Sequence, residues 1–177
     1  PGAWSTWWWP EIARRRTLLG AALTAPLLTA CGFALRKPPQ FAFRSIALAM
    51  PTTSTLGIEL RRQLEGTGSV QVITDPAQAA KAEAVLESPG DVRERVVVSV
   101  TATGEVRELT LRIRFSFRLR TADGRELLPM SEITRQIDQS YAESAALSKE
   151  QEGLMLYQNM QSDIVQQVMR RLATAHL

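Results

Sequence analysis

The chain of 177 residues carries one cysteine, Cys31, and one histidine, His176. A single thiol cannot close an internal bridge, so the fold must rest on an apolar core and not on disulfides. The histidine is the penultimate residue, and neither a Cys-His pair nor a His-rich metal cluster can be assembled from these side chains. The sequence also lacks a nucleophile motif, a phosphate-cradling glycine loop and internal repeats. These absences point away from an enzyme and imply neither a metal nor a cofactor. A strong excess of charge is missing as well: the formal charge is +3, and Arg14, Arg15, Arg16 and Glu11 account for two of those three units. Residues beyond the first thirty are therefore near +1, which gives no argument for nucleic acid.

What is present begins with a targeting pattern. Arg14, Arg15 and Arg16 form a positive region, followed by the uncharged run TLLGAALTAPLLTA from Thr17 to Ala30. Fourteen residues fall short of the roughly 20 needed to span a bilayer and fit the apolar core of a secretory signal. Leu28-Thr29-Ala30-Cys31 resembles a bacterial lipobox, with a large aliphatic residue three positions before the cysteine and small residues between. The chemistry needs the Cys31 thiol, the nucleophile that forms a thioether to diacylglycerol. Two or more acyl chains anchor stably where one does not. The alternative is a buried, inert Cys31 in a core helix over residues 17–30. Arg15-Arg16-Thr17-Leu18-Leu19 only loosely resembles a twin-arginine signal, and the general secretory route is favoured. Gly32 is not the aspartate that retains many lipoproteins at the inner membrane, which favours the outer membrane with the domain facing the periplasm. The expected organisation is a lipoprotein signal over residues 1–30, a lipidated tether over 31–42 and one folded domain over 43–177.

Within the domain, the pattern alternates between strand and helix periods. Phe43 to Met50 reads as a strand ended by Pro51, and Ser54 or Thr55 caps a short helix with Leu56, Leu60 and Leu64 on one face, stopped at Gly66. Val70 to Thr74 reads as a short strand, and AEAVLES as another closed by a turn over Ser88-Pro89-Gly90-Asp91. Two long strands follow around a turn near Thr103-Gly104, ending at a turn over Asp123-Gly124. A last strand spans about Glu132 to Tyr141, and Ser148-Lys149-Glu150-Gln151 has the form of a capping box. The helix it opens carries Tyr157, Met160, Ile164, Val168 and Leu172 on one stripe, flanked by Val165 and Met169. The expected class is α+β, a two-layer sandwich of two helices on one face of a mixed or antiparallel sheet of about four to five strands.

The strand from Leu109 to Arg120 alternates almost without fault. Leu109, Leu111, Ile113, Phe115, Phe117 and Leu119 point one way; Arg112, Arg114, Arg118 and Arg120 point the other, with Thr110 and Ser116.

Cys31-Gly32-Phe33-Ala34-Leu35-Arg36, the stretch Val106 to Arg120 followed by Ala122-Asp123-Gly124-Arg125-Glu126-Leu127-Leu128-Pro129, and the tail from Tyr141 to Leu172 together resemble the LptE family of lipopolysaccharide-assembly lipoproteins. The resemblance implies a non-enzymatic outer-membrane lipoprotein, lipid-anchored and seated largely inside the LptD β-barrel. There it helps place lipopolysaccharide in the outer leaflet, assists assembly of that barrel and binds lipopolysaccharide itself. A barrel lumen is polar, so a plug should keep a dry core and expose polar groups. On this reading Arg112, Arg114, Arg118 and Arg120 contact lipopolysaccharide phosphates or acidic lumen residues, because a planar guanidinium makes charge-assisted, often bidentate bonds. The plainer alternative is a solvated face whose arginines pair with Glu94, Glu105 or Glu108. Arg36, Lys37 and Arg44 could meet anionic headgroups near the anchor or simply belong to a tether. Asp123 to Arg125 reads first as a tight turn. The competing functional class is a periplasmic lipoprotein that binds a soluble envelope partner or glycan without a barrel.

Overall fold

The computed structural model describes residues 39–177. The signal segment, Cys31, Arg36 and Lys37 lie outside the described residues. Chain order is β1 (Ser45–Ala49), α1 (Thr55–Gly66), β2 (Gln71–Ile73), a 3-10 segment (Pro76–Lys81), β3 (Ala84–Val100), β4 (Val106–Thr121), β5 (Glu126–Ser140), a 3-10 turn (Glu143–Ala145) and α2 (Ala146–Ala173). The strands form one mixed sheet in the order β2-β1-β3-β4-β5. β1 is parallel to both β2 and β3, whereas β3, β4 and β5 form an antiparallel meander. This is the expected two-layer α+β architecture.

One face of the sheet is dry because β4 puts an apolar residue there at every second position. Leu111, Ile113, Phe115, Phe117 and Leu119 are buried against Leu56, Leu60 and Leu64 of α1 and Met160, Ile164, Val168 and Leu172 of α2. The Phe115 and Phe117 rings stack with centroids 5.7 Å apart. Ser54 caps α1 as its sequence position suggests: its hydroxyl accepts from Gly57 N at 3.1 Å and donates to Asp91 Oδ1 at 2.7 Å. Packing reaches back to Phe41, whose ring stacks on Phe43 at 5.4 Å. Among the described residues the opposite, outer face is covered only near β1, where Ala47, Ala82 and Val85 form a small apolar cluster with Ala79 of the 3-10 segment.

Three local expectations are corrected. The stretch Ser88-Pro89-Gly90-Asp91 does not reverse the chain; β3 runs through it, with a register shift between Glu87 and Gly90. Gly90 takes φ of 108°, and the Ser88 hydroxyl donates to Ser116 O at 2.7 Å and accepts from Gly90 N at 3.0 Å, so β4 stays attached across the bulge. The capping box at Ser148 does not form either. α2 starts at Ala146, directly after the 3-10 turn, and the Ser148 hydroxyl donates back to Ala145 O at 2.9 Å. Finally, β5 begins at Glu126 and not at Glu132. It takes Pro129 into an edge strand where the register jumps between Leu128 and Ser131.

Candidate functional site

The outer face of β3, β4 and β5, uncovered among the described residues, carries the arginines. The register places Arg112 opposite Glu94, Arg114 opposite Val92, Ser116 opposite Gly90, Arg118 opposite Glu87 and Arg120 opposite Val85. Two carboxylates each hold two guanidinium groups. Glu87 accepts from Arg118 Nε at 2.6 Å and from Arg120 Nε at 2.7 Å. Glu94 accepts from Arg112 Nη1 at 3.4 Å and from Arg114 Nη2. The Arg120 bond, reinforced by Arg118, holds the Glu87 carboxyl below its ordinary value against the opposing effect of burial. The structure thus brings the four arginines together as two triads, with Glu94 the foreseen partner and Glu87 the unforeseen one.

The arginine side chains stay 31 to 47 % exposed, so an incoming anion can still reach them. Their surroundings are nevertheless acidic as much as basic. Glu108 lies on the same face of β4, and β5 adds Glu126 opposite Arg120, Glu132 opposite Ser116 and Asp138 opposite Thr110. These acids are partly engaged by hydroxyls: Thr110 donates to Asp138 at 2.6 Å, and Ser116 and Thr134 donate to Glu132 at 3.3 and 3.2 Å. Arg114 and Arg118 stand roughly 13 Å apart along the strand, with Ser116 and Gly90 leaving a low saddle between the triads. The face is a ladder of alternating charge, able to meet phosphates and carboxylates at the arginines and cations at β5.

More cations sit on the helix side of β3, where the sequence pattern does not mark a site. Arg93 lies over the Tyr157 ring at 5.5 Å and contacts Asp91 at 3.2 Å; Arg95 lies over Tyr141 at 5.7 Å and pairs with Glu150 at 2.5 Å. Burial raises the Tyr157 hydroxyl above its ordinary value, and that hydroxyl donates to Glu94 O at 2.7 Å.

The remaining sequence candidates are less engaged. Asp123 and Arg125 flank Gly124, whose φ of 98° demands a residue without a β-carbon, and the turn is closed by Thr121 Oγ1 accepting from Arg125 N at 3.0 Å. Arg44 is exposed beside Glu83, and His176 lies exposed near the chain end. A cleft of about 200 Å³ at the end of β1, lined by Leu48, Met50, Pro51, Ile58 and Arg61 among others, offers no acid–base pair. Among the described residues no three His, Cys, Asp or Glu side chains converge as a metal would need, and no helix is long and apolar enough to cross a membrane.

The same span that forms this sheet and its helices, residues 43–172, matches the family profile of LptE, lipopolysaccharide-assembly. The chain belongs to the LptE family. Among solved LptE-like structures, lipoprotein B of Nitrosomonas europaea is 30% identical, with 80% of this chain and 90% of that one covered and a TM-score of 0.67. The rare lipoprotein B of Shewanella oneidensis shares the fold at 21% identity, covering 74% of this chain and 95% of that one with a TM-score of 0.61. A minor lipoprotein of Acinetobacter baumannii does so at 18% identity, 77% and 97% coverage and a TM-score of 0.60. No curated protein matches the chain.

Proposed function

We propose that this LptE-family protein is an outer-membrane lipoprotein, anchored through acylated Cys31, that fills the lumen of an LptD-type β-barrel and assists insertion of lipopolysaccharide into the outer leaflet. The observation that carries the reading is the family match over residues 43–172, joined to a sheet with one dry face and one polar, mixed-charge face. A body inside a barrel meets polar walls on several sides, so it needs a core of its own and an outer surface able to pair with carboxylates, hydroxyls and cations. The outer face of β4 has that chemistry. In this reading Arg112, Arg114, Arg118 and Arg120 contact lipopolysaccharide phosphates or acidic groups of the barrel wall, exchanging part of their bonding to Glu87 and Glu94. The protein acts by binding and positioning, without catalysis.

The test is affinity purification of the tagged, acylated full-length protein from its native envelope in detergent. A large barrel protein in stoichiometric amount that survives washing supports the plug reading. Its absence, with Cys31 shown to be acylated, overturns it in favour of a lipoprotein serving a soluble envelope partner or glycan. Charge reversal of Arg114 and Arg118 to glutamate is expected to weaken barrel association or lipopolysaccharide binding at least several-fold. If both are unchanged, the arginine face has no part in the function.

A further inference from the structure

α2 is held down in two different ways along its length. From Leu156 onward apolar burial fixes it: Leu156 and Tyr157 pack against the core, and Met160, Ile164, Val168 and Leu172 lie within it. Before Gly153 it buries no side chain, and Leu147 is 76 % exposed. The start is also uncapped, since Ala145 offers no side-chain oxygen to the first amides. The bonds that tie residues 146–152 to the sheet are polar. Gln139 Nε2 donates to Lys149 O at 2.8 Å, Lys149 Nζ donates to Ser140 Oγ at 3.1 Å, and Arg95 donates to Glu150 at 2.5 Å.

Gln139 is the unusual member of this set. It lies opposite Leu109 on the inner face of β5, where the alternation through Ile133 and Ile137 calls for another apolar residue. The residue is 1 % exposed, and while Nε2 holds Lys149, Oε1 has no partner. A buried amide oxygen without a donor works against the closed arrangement, and water satisfies it once the helix start lifts away. The same side chain therefore both fastens the start of α2 and loads it. Gly153 stands directly over this amide: a β-carbon there would lie 3.4 Å from Gln139 Oε1 and 3.7 Å from Leu111 Cδ1. Glycine permits that close approach and is a poor helix former, so α2 bends most easily at this position.

We propose that residues 146–152 form a strap that opens as one unit about Gly153, with Gln139 as its catch, while the rest of α2 stays packed. Segments that open separately from a fold are those with few buried apolar groups and exposed polar ties, as here. Opening hydrates the Gln139 oxygen and uncovers Leu111, which is 1 % exposed when the strap is closed. The device thus controls access to one end of the dry face, and it stands apart from the plug reading because both strap and catch belong to this chain.

The experiment is native-state hydrogen exchange of the full-length protein in detergent, followed amide by amide at low urea. Amides of residues 150–153, whose helical acceptors lie in the strap, should share one opening that urea hardly changes and exchange roughly a hundredfold or more faster than those of residues 164–172. Protection that climbs gradually from residue 150 to residue 160, or is uniform along α2, overturns the proposal. Ile164→Val weakens only the packed part, so it should speed the amides of residues 164–172 and leave the strap amides unchanged; a change in both overturns the separate opening. Gln139→Ala removes a contact made only when the strap is closed, so strap amides should speed up about tenfold, by the same factor as the rest of α2. If the rest of α2 speeds up and the strap does not, Gln139 is no catch. Gly153→Ala in the Gln139→Ala background, where its β-carbon has room, should slow strap exchange about threefold or more, and an unchanged rate removes Gly153 as the hinge.

Discussion

Removing the charge of Glu87 while keeping its shape tests whether the arginine ladder is held by carboxylates or merely lies near them. Glu87→Gln leaves an acceptor oxygen beside Arg118 and Arg120 but replaces the second oxygen with an amide that can only donate toward two donors. The Glu87 side chain is 22 % exposed and its partners are 47 % and 31 % exposed, so each pair is screened and worth well below a buried ion pair. Charge-assisted bonds discounted for that screening give about 0.5–1 kcal/mol per pair, or about 1–2 kcal/mol for the variant at neutral pH. The pH dependence carries the sign. Because the arginines lower the folded-state value of Glu87 below 4.5, its contribution is complete above the ordinary glutamate range and is lost as pH falls through the lowered value. Urea unfolding of wild type and Glu87→Gln should therefore differ by about 1–2 kcal/mol at pH 7, with the difference shrinking as pH falls below the ordinary glutamate range. A difference below about 0.3 kcal/mol at pH 7, or one that does not shrink on acidification, refutes the triad as an energetic unit.

Other consequences concern the helix starts and the core. Ser54→Ala removes both the α1 cap and the bond to Asp91 and should cost about 1–2 kcal/mol in urea unfolding. Ser148→Ala lies inside α2, where alanine is the better helix former, and should change stability by less than about 0.5 kcal/mol. A large loss would restore Ser148 as a cap. Phe115→Ala, at a fully buried position stacked on Phe117, should cost about 3–5 kcal/mol in equilibrium denaturation.

Elements whose signal is periodic are legible in the residue pattern itself. β4 shows strict alternation from Leu109 to Arg120, and α2 shows a 3.6-residue stripe from Met160 to Leu172, because burial of one face leaves its period in the sequence. Signals that depend on partners are ambiguous. Ser88-Pro89-Gly90 suits a turn or a bulge equally well locally, and pairing with β4 on both sides decides for the bulge. The same ambiguity hides Glu87: with a turn at Ser88 the residue belongs to a separate strand, whereas the bulge sets it directly opposite Arg118. Ser148 misleads for another reason. The chain enters α2 through the 3-10 turn Glu143–Ala145, and that turn fixes the start two residues before Ser148 without a polar cap. At the candidate site, the arginine face is readable from alternation alone, while its balancing acids on β3 and β5 require the register.

Ionic strength decides whether the arginine face holds a partner. At the outer face, each arginine already spends part of its bonding on Glu87 or Glu94, so a partner's phosphate or carboxylate replaces one half-exposed pair with another. The net gain is then small per contact and governed by screening, with a Debye length that falls from about 10 Å at 0.1 M salt to about 3 Å at 1 M. Raising salt from about 0.1 to about 1 M should therefore reduce several-fold the cross-linking of the barrel protein by a photo-reactive residue placed at Arg118. Cross-linking unchanged by salt would mean that the arginine face carries no partner, leaving its triads to the stability of the sheet alone.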